Sequence, residues 1–342
     1  MIDVQVNNRL LEWLGEGRVV MGDGAMGTML QNVGLTDGGA PELWNVTHPE
    51  RVKSIYQAYV DAGSNIVTTN TFGGTIARLR FHQIGDRVKE LNCASARLAR
   101  EVADPLGALV AGDVGPSGEL IEPVGPLSME EAEAMFAEQV AGLVEGGVDF
   151  ILIETMSHMN EVEAAIKGAR RVDPDLSIVV TMSFDTNFHT MMGVSPRQAL
   201  ETLAGWGIRV VGANCGNGPQ EIETIMTQMA QYRADGVYLM AQSNAGLPQY
   251  EDGEIQYDGT PELMADYAVK LRNLGVNVIG ACCGSTPIHI SAMKAALEEV
   301  KDTPIPGPPK VDAQEGGDIE SAASRAARRD ERRQARRRRD DG

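Results

Sequence analysis

The sequence predicts an α/β protein that folds as a (β/α)8 TIM barrel. Eight short runs rich in Val, Ile and Leu alternate with longer stretches of helical periodicity. Continuous apolar runs indicate strands that are buried on both faces, as in a parallel sheet covered by helices. Eight such units also fit the usual length of a barrel, about 250 residues or more. A doubly wound open sheet is the alternative fold, because this pattern does not reveal the strand order.

The joints between the predicted units carry a repeated phrase. In four of them a glycine suited to a helix C-cap is followed by a short polar step and then by a strand. The four joints read DAGSNIVTTN, EGGVDFILIET, GWGIRVVGANC and NLGVNVIGACC. This is the connection that a barrel requires between a helix and the next strand. The predicted strands occupy residues 18–22, 65–69, 108–111, 150–153, 177–182, 209–212, 237–240 and 276–280.

Composition limits the class of protein. The chain has 342 residues, of which 43% are hydrophobic, so it can bury a substantial core. It contains no apolar run of about 18 residues and no basic segment followed by an apolar stretch at its N-terminus, which predicts a cytoplasmic protein without a membrane partner. The formal net charge of −18 argues against a general affinity for nucleic acid or anionic lipid.

The C-terminal segment differs from the rest of the chain. Residues 304–320 have the composition of a linker, and residues 321–342 contain nine arginines and four acids. We therefore expect a barrel domain over residues 1–303 and a flexible linker with a disordered, arginine-rich tail over 304–342. The simplest interpretation of the tail is a solvated segment without a partner. The alternatives are docking on the acidic body of a neighbouring subunit in a homo-oligomer, or on RNA.

Polar and thiol groups follow nearly every predicted strand. In a barrel the carboxyl ends of the strands converge on one face, where barrel enzymes place their chemistry. The sequence therefore predicts a site at this face. The residues concerned are Asp23, Asn70, Asp113 with the turn Gly115-Pro116, Glu154, Ser183, Asp185, Asn214, Cys215, Gln242, Ser243, Asn244, Cys282 and Cys283.

The stretch VVMGDGAMGT, residues 19–28, contains the pattern GxGxxG at Gly22, Gly24 and Gly27. In a dinucleotide site this pattern lies inside a βαβ unit of about 30 residues, with an acid about 20 residues further on. Here the next strand-like run begins only at residue 65. The glycines are therefore interpreted as a turn that brings backbone close to a different ligand, with Asp23 as a charged contact.

Three of the four cysteines are candidate metal ligands. Cys93 lies in a helical pattern, where a small buried residue is the ordinary explanation. Cys282 and Cys283 are adjacent, and a disulfide between neighbours is strained. With Cys215 they follow the sixth and eighth predicted strands, which lie two apart around a closed barrel. They are either buried structural thiols or the three ligands of a zinc site with an open position.

Such a site suits a substrate thiol, because coordination to zinc converts a thiol to the thiolate at neutral pH. Asp23 and Glu154 are then candidates to hold the ammonium of an amino acid that carries this thiol. The backbone N–H groups of residues 24–27 are candidates for its carboxylate. The alternative is that the two acids cap helices at the mouth of the barrel.

Several motifs together resemble the homocysteine S-methyltransferase family, which includes betaine–homocysteine and S-methylmethionine–homocysteine enzymes and the first domain of cobalamin-dependent methionine synthase. The resemblance runs from about residue 10 to about residue 300. It implies a barrel in which Zn²⁺ is bound by Cys215, Cys282 and Cys283 and homocysteine sulfur takes the fourth position. It also places Asp23 and Glu154 at the substrate amino group, in a cradle that includes Gly24 and Ala25. The motifs are GDGAMGT (22–28), TNTFGG (69–74), IET (153–155), GANCG (212–216) and GACCGSTPIHI (280–290).

The methyl donor follows from a finer resemblance. Over its whole length, including APELWNVTHPE (40–50), SFDTN (183–187), TMMGV (190–194) and the arginine-rich end, the chain resembles bacterial betaine–homocysteine methyltransferases. This implies transfer from betaine, giving methionine and dimethylglycine. The animal betaine enzyme has tyrosines where this chain has Gly73 and Thr155, so another aromatic group has to meet the trimethylammonium. The candidates are Trp44, Phe72, Phe184 and Phe188.

Two alternatives to betaine remain open at this point. The first is S-methylmethionine or another sulfonium as donor. The second is a methyl-transfer subunit that works with a corrinoid partner protein. For an onium donor the leaving amine or thioether departs neutral, so the zinc-bound substrate thiolate is the reacting group and no separate acid or base is assigned.

Overall fold

The computed structural model describes residues 9–36, 38–251 and 254–307. All eight predicted strands are present, together with a two-stranded hairpin between the seventh and the eighth of them. The strands are β1 (Val20–Met21), β2 (Ile66–Thr68), β3 (Leu109–Val114), β4 (Phe150–Met156), β5 (Ile178–Met182), β6 (Val210–Cys215), β7 (Tyr238–Ser243), β8 (Pro248–Glu251), β9 (Glu254–Tyr257) and β10 (Val278–Ala281).

The eight barrel strands are parallel and follow the order β1-β10-β7-β6-β5-β4-β3-β2. The two ends of this sheet meet, because the Asn65 N–H donates to the Met21 carbonyl at 2.8 Å and the Met21 N–H donates to Asn65 Oδ1 at 3.0 Å. The sheet is thus a nearly closed barrel. The predicted TIM barrel is confirmed, and the open doubly wound sheet is excluded.

Helices surround the barrel between successive strands. Pro at the first turn and side-chain caps begin several of them, such as Ser128, which forms a capping box with Glu131. The glycines of the four predicted joints, at positions 63, 147, 207 and 275, all have positive φ, as the C-cap interpretation requires. The helices are α1 (Arg9–Gly15), α2 (Met26–Asn32), α3 (Trp44–Thr47), α4 (Pro49–Asp61), α5 (Ile76–Leu79), α6 (Val88–Ala103), α7 (Met129–Gly146), α8 (Met159–Val172), α9 (Pro196–Gly205), α10 (Pro219–Tyr232), α11 (Pro261–Leu274) and α12 (Pro287–Val300).

The inside of the barrel is packed at its N-terminal end. Leu10 and Leu14 of α1 are buried against inward-facing strand residues such as Val20, Phe150 and Val278. Helix α1 therefore closes the bottom of the barrel with apolar groups. This leaves the opposite end, where the strands terminate, open for polar chemistry.

The hairpin of β8 and β9 was not predicted. Its strands pair antiparallel, with Pro248 opposite Tyr257. The sequence does contain a hairpin signal, the dipeptide Asp-Gly at 252–253. Of the other features predicted, the linker beyond residue 307 and the arginine-rich tail lie outside the described residues. No helix in the described ranges is long and apolar enough to cross a membrane.

Candidate active site

A cavity of about 520 Å³ opens at the C-terminal ends of the barrel strands. Most of the polar and thiol residues predicted to gather at this face line it, whereas Ser183, Asp185, Asn214, Ser243 and Asn244 do not. The cavity also contains groups that the sequence did not single out, among them Glu42, Thr68 and Arg78. The predicted residues that line it are Asp23, Gly24, Ala25, Asn70, Asp113, Glu154, Cys215, Gln242, Cys282 and Cys283.

Three cysteine sulfurs meet at one wall of this cavity. The Sγ atoms of Cys215, Cys282 and Cys283 lie within 4.8 Å of one another, and those of the adjacent pair are 4.0 Å apart without a disulfide. Among the described residues no other set of three His, Cys, Asp or Glu ligand atoms is so close. Cys215 ends β6 with a left-handed φ of 64°, which turns its sulfur towards the pair that follows β10. Cys93, in contrast, is buried in α6, as predicted.

The three thiols share their protons unequally. Hydrogen bonds from Cys215 and Cys282, and from the Tyr257 hydroxyl, lower the pKa of Cys283 to about 3. The same proximity raises the pKa of Cys282 well above its ordinary value. The cluster therefore holds one thiolate readily and resists further ionisation without a cation, which is the behaviour expected of a preformed thiolate metal site.

Asp23 extends from the end of β1 into the cavity and is 3% exposed. Its carboxylate accepts the Thr68 N–H at 2.6 Å and the Thr68 hydroxyl at 2.7 Å, so β2 fixes its orientation. Burial raises the pKa of Asp23 to about 6, although these hydrogen bonds oppose the shift. A cationic ligand would offset the cost of keeping this carboxylate charged.

Glu154 lies near the end of β4, and its carboxylate faces the same cavity. Burial, followed by the proximity of Cys215 and Asp23, raises the pKa of Glu154 to about 8. The next residue, Thr155, has a left-handed φ of 59°, which is unusual for a β-branched residue. Asn214 holds it there through hydrogen bonds to its N–H and its hydroxyl, at 2.8 and 2.7 Å.

The glycine-rich turn is tied to the cysteine turn through Ser285. The Ala25 N–H donates to Ser285 Oγ at 3.0 Å, and Ser285 Oγ donates to the Cys282 carbonyl at 2.7 Å. The Tyr59 hydroxyl donates to the Ala25 carbonyl at 2.8 Å. A Cβ on Gly24 would lie 2.6 Å from Ser285 Oγ, so only glycine fits there. The pattern GxGxxG thus serves a close backbone approach, and the chain turns from β1 into α2 without a dinucleotide-type βαβ unit.

Two further buried carboxyls face the cavity. Asp113 and Glu42 are each 5% exposed. Glu42 accepts the Gly73 N–H at 2.7 Å, but Asp113 Oδ1 has no hydrogen-bond partner among the described groups. Burial, and then the carboxyls of Glu154, Asp23 and Glu42, raise the pKa of Asp113 well above its ordinary value.

The aromatic candidates are distributed differently from expectation. Phe72 lines the cavity and is 36% exposed, and Phe81, which the sequence did not single out, joins it. Trp44 and Phe184 are buried in the hydrophobic core around the barrel. Phe188 is on the surface and does not line the cavity. Phe72 is therefore the one of the four candidates in a position to meet a ligand there.

The fold and this site define a parallel (β/α)8 barrel with a candidate three-thiol metal centre at the mouth. The chain belongs to the homocysteine S-methyltransferase family, whose sequence model matches residues 20–297. Among its relatives, the methionine synthase of Mycobacterium leprae is 31% identical over 318 residues, covering 88% of this chain and 26% of that protein. The methionine synthase of Mycobacterium tuberculosis is 32% identical over 308 residues, covering 85% and 26%. The chain thus spans about a quarter of the length of these curated relatives.

Solved structures support the fold. The metallated form of the homocysteine methyltransferase MmuM from Escherichia coli matches with a TM-score of 0.70 and 24% identity, covering 84% of this chain and 99% of that chain. Its oxidized form matches with a TM-score of 0.67 and 24% identity, covering 81% and 95%. At this identity the likeness establishes the shared barrel architecture.

Proposed function

We propose that this protein transfers a methyl group from an onium donor, glycine betaine first among the candidates, to the sulfur of homocysteine. The products are methionine and dimethylglycine. The observation that carries the proposal is the convergence of three cysteine sulfurs with the carboxyls of Asp23 and Glu154 on one cavity. A metal that binds a substrate thiolate beside a pair of ammonium-binding acids matches the thiol and the ammonium group of homocysteine.

Zn²⁺ is the metal that the proposal assigns to Cys215, Cys282 and Cys283. In a tetrahedral site with Zn–S bonds of about 2.3 Å, neighbouring sulfurs are about 3.8 Å apart. The three sulfurs here, all within 4.8 Å of one another, are close to that arrangement. Three protein thiolates leave one position for an exogenous ligand. When bound, Zn²⁺ supplies a substrate sulfur that is ionised at neutral pH.

The protein's own groups orient the substrate. The Asp23 carboxylate, held by Thr68, and the Glu154 carboxylate accept the substrate ammonium in this proposal. Gly24 and Ala25 line the same cavity and present backbone to the rest of the amino acid. The methyl group then moves to sulfur by in-line displacement, and the donor leaves as a neutral amine. No proton has to be supplied, so no further acid or base is required.

One observation favours a second candidate. The curated relatives are more than three times as long as this chain, so they contain other regions that can contribute to their activity. If this chain also works together with another protein region, a corrinoid partner protein supplies the methyl group that is transferred to homocysteine, instead of a free small molecule. A sulfonium such as S-methylmethionine is the other alternative within the small-molecule class.

The test is methionine formation by the zinc-loaded protein from homocysteine, with glycine betaine, S-methylmethionine and methylcobalamin supplied in separate reactions. Turnover with betaine supports the proposal. Turnover with S-methylmethionine alone replaces betaine as donor but keeps the reaction, and turnover with methylcobalamin alone favours the partner-dependent alternative. Absence of methionine in all three reactions, with zinc content verified, contradicts the proposed function.

The proposal also concerns the partners, the location and the oligomeric state of the enzyme. Small molecules are its partners, its location is the cytoplasm, and neither nucleic acid nor membrane is required. A homo-oligomer is compatible with a site that is built entirely from one chain. Size-exclusion chromatography with light scattering determines the oligomeric state directly.

A further inference from the structure

The cavity contains more buried acid than one amino acid requires. In the proposed function, Asp23 and Glu154 are assigned to the ammonium of homocysteine. Asp113 and Glu42 face the same cavity and remain without an assigned cation. Burial and the proximity of the other carboxyls raise the pKa values of Asp113 and Glu154, so a second bound cation would favour the ionised forms of these acids and be attracted by them.

Asp113 is aimed into this space by its strand. Its N–H donates to Thr69 Oγ1 at 2.9 Å, and its carbonyl accepts from Thr71 Oγ1 at 2.8 Å, so the backbone at the end of β3 is fixed. Its side chain is 5% exposed, lines the cavity and leaves Oδ1 without a partner among the described groups. A buried carboxyl with a purely structural role is normally hydrogen-bonded, so this atom points to a ligand.

The arrangement of these acids does not match a preformed metal site. The oxygens of the four acids do not form a group within 4.8 Å of one another, which the three cysteine sulfurs do. A quaternary ammonium or a sulfonium suits such a space, because it is large and makes no directed hydrogen bonds. Phe72 lines the same cavity and adds an aromatic face, the usual partner of such cations.

The mouth of the cavity carries the opposite charge. Arg78 of α5 is exposed and lines the cavity, and its guanidinium has no ion pair or hydrogen bond with any other described residue. Burial raises the pKa of Glu42, and the nearby cationic groups His82 and Arg78 oppose this shift. Acid inside and an unpaired cation outside match a ligand whose positive end enters first and whose carboxylate stays at the mouth.

We propose that Asp113 and Glu42 form a second cation subsite that holds the onium centre of the methyl donor, while Arg78 holds the donor's carboxylate. The inference rests on the proposed function and names its donor class as small onium carboxylates. In this inference the protein selects its donor by charge. An aromatic cage is not available for this, because the chain has Gly73 and Thr155 where the animal betaine enzyme has tyrosines.

The test measures binding without turnover. Metal-loaded protein, with no thiol substrate present, is titrated calorimetrically with glycine betaine and with 3,3-dimethylbutanoate, in which carbon replaces the quaternary nitrogen. The wild-type protein is expected to bind betaine about tenfold more tightly than this isostere, because only betaine brings a positive charge. Asp113→Asn and Glu42→Gln are each expected to move this ratio towards one. Glu42→Gln keeps an acceptor for the Gly73 N–H, and melting curves verify that both variants fold.

Matched variants separate the subsite from general charge effects. Asp185→Asn makes the same chemical change on an exposed residue outside the cavity and should leave the ratio unchanged. Choline, which has the quaternary ammonium but no carboxylate, is titrated in parallel with betaine. The comparison tests whether Arg78 binds a carboxylate at the mouth of the cavity. The wild-type protein should prefer betaine, Arg78→Gln should lose that preference, and Arg80→Gln should retain it. An unchanged betaine-to-isostere ratio in both acid variants, or a ratio of one in the wild type, overturns the inference.

The result is independent of the reaction itself. If methionine forms from an onium donor but the ratio is one, the proposed function stands and the subsite is wrong. If the ratio depends on Asp113 and Glu42 but no donor yields methionine, the subsite stands and the proposed function is wrong.

Discussion

Asn214 holds Thr155 by two hydrogen bonds that span β6 and β4. Its Oδ1 accepts the Thr155 N–H at 2.8 Å, and its Nδ2 donates to Thr155 Oγ1 at 2.7 Å. Thr155 follows Glu154 and Asn214 precedes Cys215, and both Thr155 and Cys215 have left-handed φ values, 59° and 64°. One buried amide therefore links the backbone of the ammonium-binding candidate to that of a metal-ligand candidate.

Replacing the Asn214 amide should reduce both the stability of the protein and its affinity for homocysteine. Asn214→Ala removes the two bonds to Thr155 and a third from the Thr181 hydroxyl, which donates to Asn214 Oδ1 at 2.8 Å. We expect a loss of about 2–4 kcal/mol in the free energy of unfolding, because buried polar groups lose their partners. We also expect weaker homocysteine binding, since Glu154 is no longer fixed. Urea denaturation and calorimetric titration with homocysteine measure the two effects.

The conservative variant Asn214→Asp serves as the comparison. It keeps the acceptor for the Thr155 N–H and the Thr181 hydroxyl and loses the donor to Thr155 Oγ1. It should therefore retain more homocysteine affinity than Asn214→Ala. Equal affinity in the wild type and both variants would show that this clamp does not position Glu154.

The architecture and the position of the site could be predicted from the sequence because both depend on local signals. The apolar runs, the glycine joints and the polar residue after each strand are adjacent in the chain, and a barrel brings every strand end to one face. Cys215 and the pair at 282 and 283 could therefore be grouped in advance. Cys215 ends β6, and the cysteine pair follows β10. A single strand, β7, lies between β6 and β10 in the barrel, as the sequence predicts.

The groups that support the site could not be predicted in the same way. Ser285 joins Ala25 to Cys282 across 260 residues, and Thr68 fixes Asp23 across 45. A serine in a turn or a threonine at the end of a strand gives no sign of such a distant partner. The sequence places Asp113 among the polar residues that follow the strands. It does not show that Asp113 Oδ1 lacks a hydrogen-bond partner among the described groups, because this depends on packing between distant residues.

The cysteine cluster provides a direct test of metal binding. Each of Cys215→Ser, Cys282→Ser and Cys283→Ser should reduce bound zinc strongly and abolish methionine formation, because three thiolates are needed for the site. Cys93→Ala is the matched control, since Cys93 is a buried cysteine of α6 remote from the cluster. Zinc content by mass spectrometry and activity are measured on the same preparations. Full activity in a zinc-free cluster variant would contradict the assignment.

Homocysteine affinity should depend on pH through Asp23. The pKa of this buried carboxyl is raised to about 6, and only its ionised form attracts an ammonium. Affinity should therefore fall as the pH drops through this value, by up to about tenfold per unit, whereas a change near pH 8 reflects Glu154, whose pKa burial raises to about 8. Asp23→Asn should bind weakly at all pH values and lack this slope. Zinc content is measured at each pH, and a flat wild-type profile between about pH 5 and 7 with zinc retained would rule out this role.

Tyr257 connects the unpredicted hairpin to the metal-site candidate. Its hydroxyl hydrogen-bonds Cys283 and contributes to the lowered pKa of that thiol. Tyr257→Phe should raise the thiol pKa and weaken zinc binding at neutral pH by about tenfold, as expected for loss of an outer hydrogen bond to a ligand. Chelator competition measures this change. Tyr232→Phe, on the exposed face of α10, should leave zinc affinity unchanged, and an equal affinity in both variants would remove the hairpin from the site.

The glycine-rich turn offers a paired test of why its glycines are needed. A Cβ on Gly24 would lie 2.6 Å from Ser285 Oγ and 2.8 Å from a Tyr59 ring carbon, whereas a Cβ on Gly27 meets nothing within 4 Å. Gly24→Ala should therefore push the turn away from Ser285, cost about 1–3 kcal/mol of unfolding free energy and weaken homocysteine binding. Gly27→Ala lies in α2 and should be neutral or stabilise the protein by about 0.5–1 kcal/mol. Denaturation and homocysteine titration of the two variants distinguish a close backbone approach at one position from a general requirement for a flexible loop, which would make both variants equally defective.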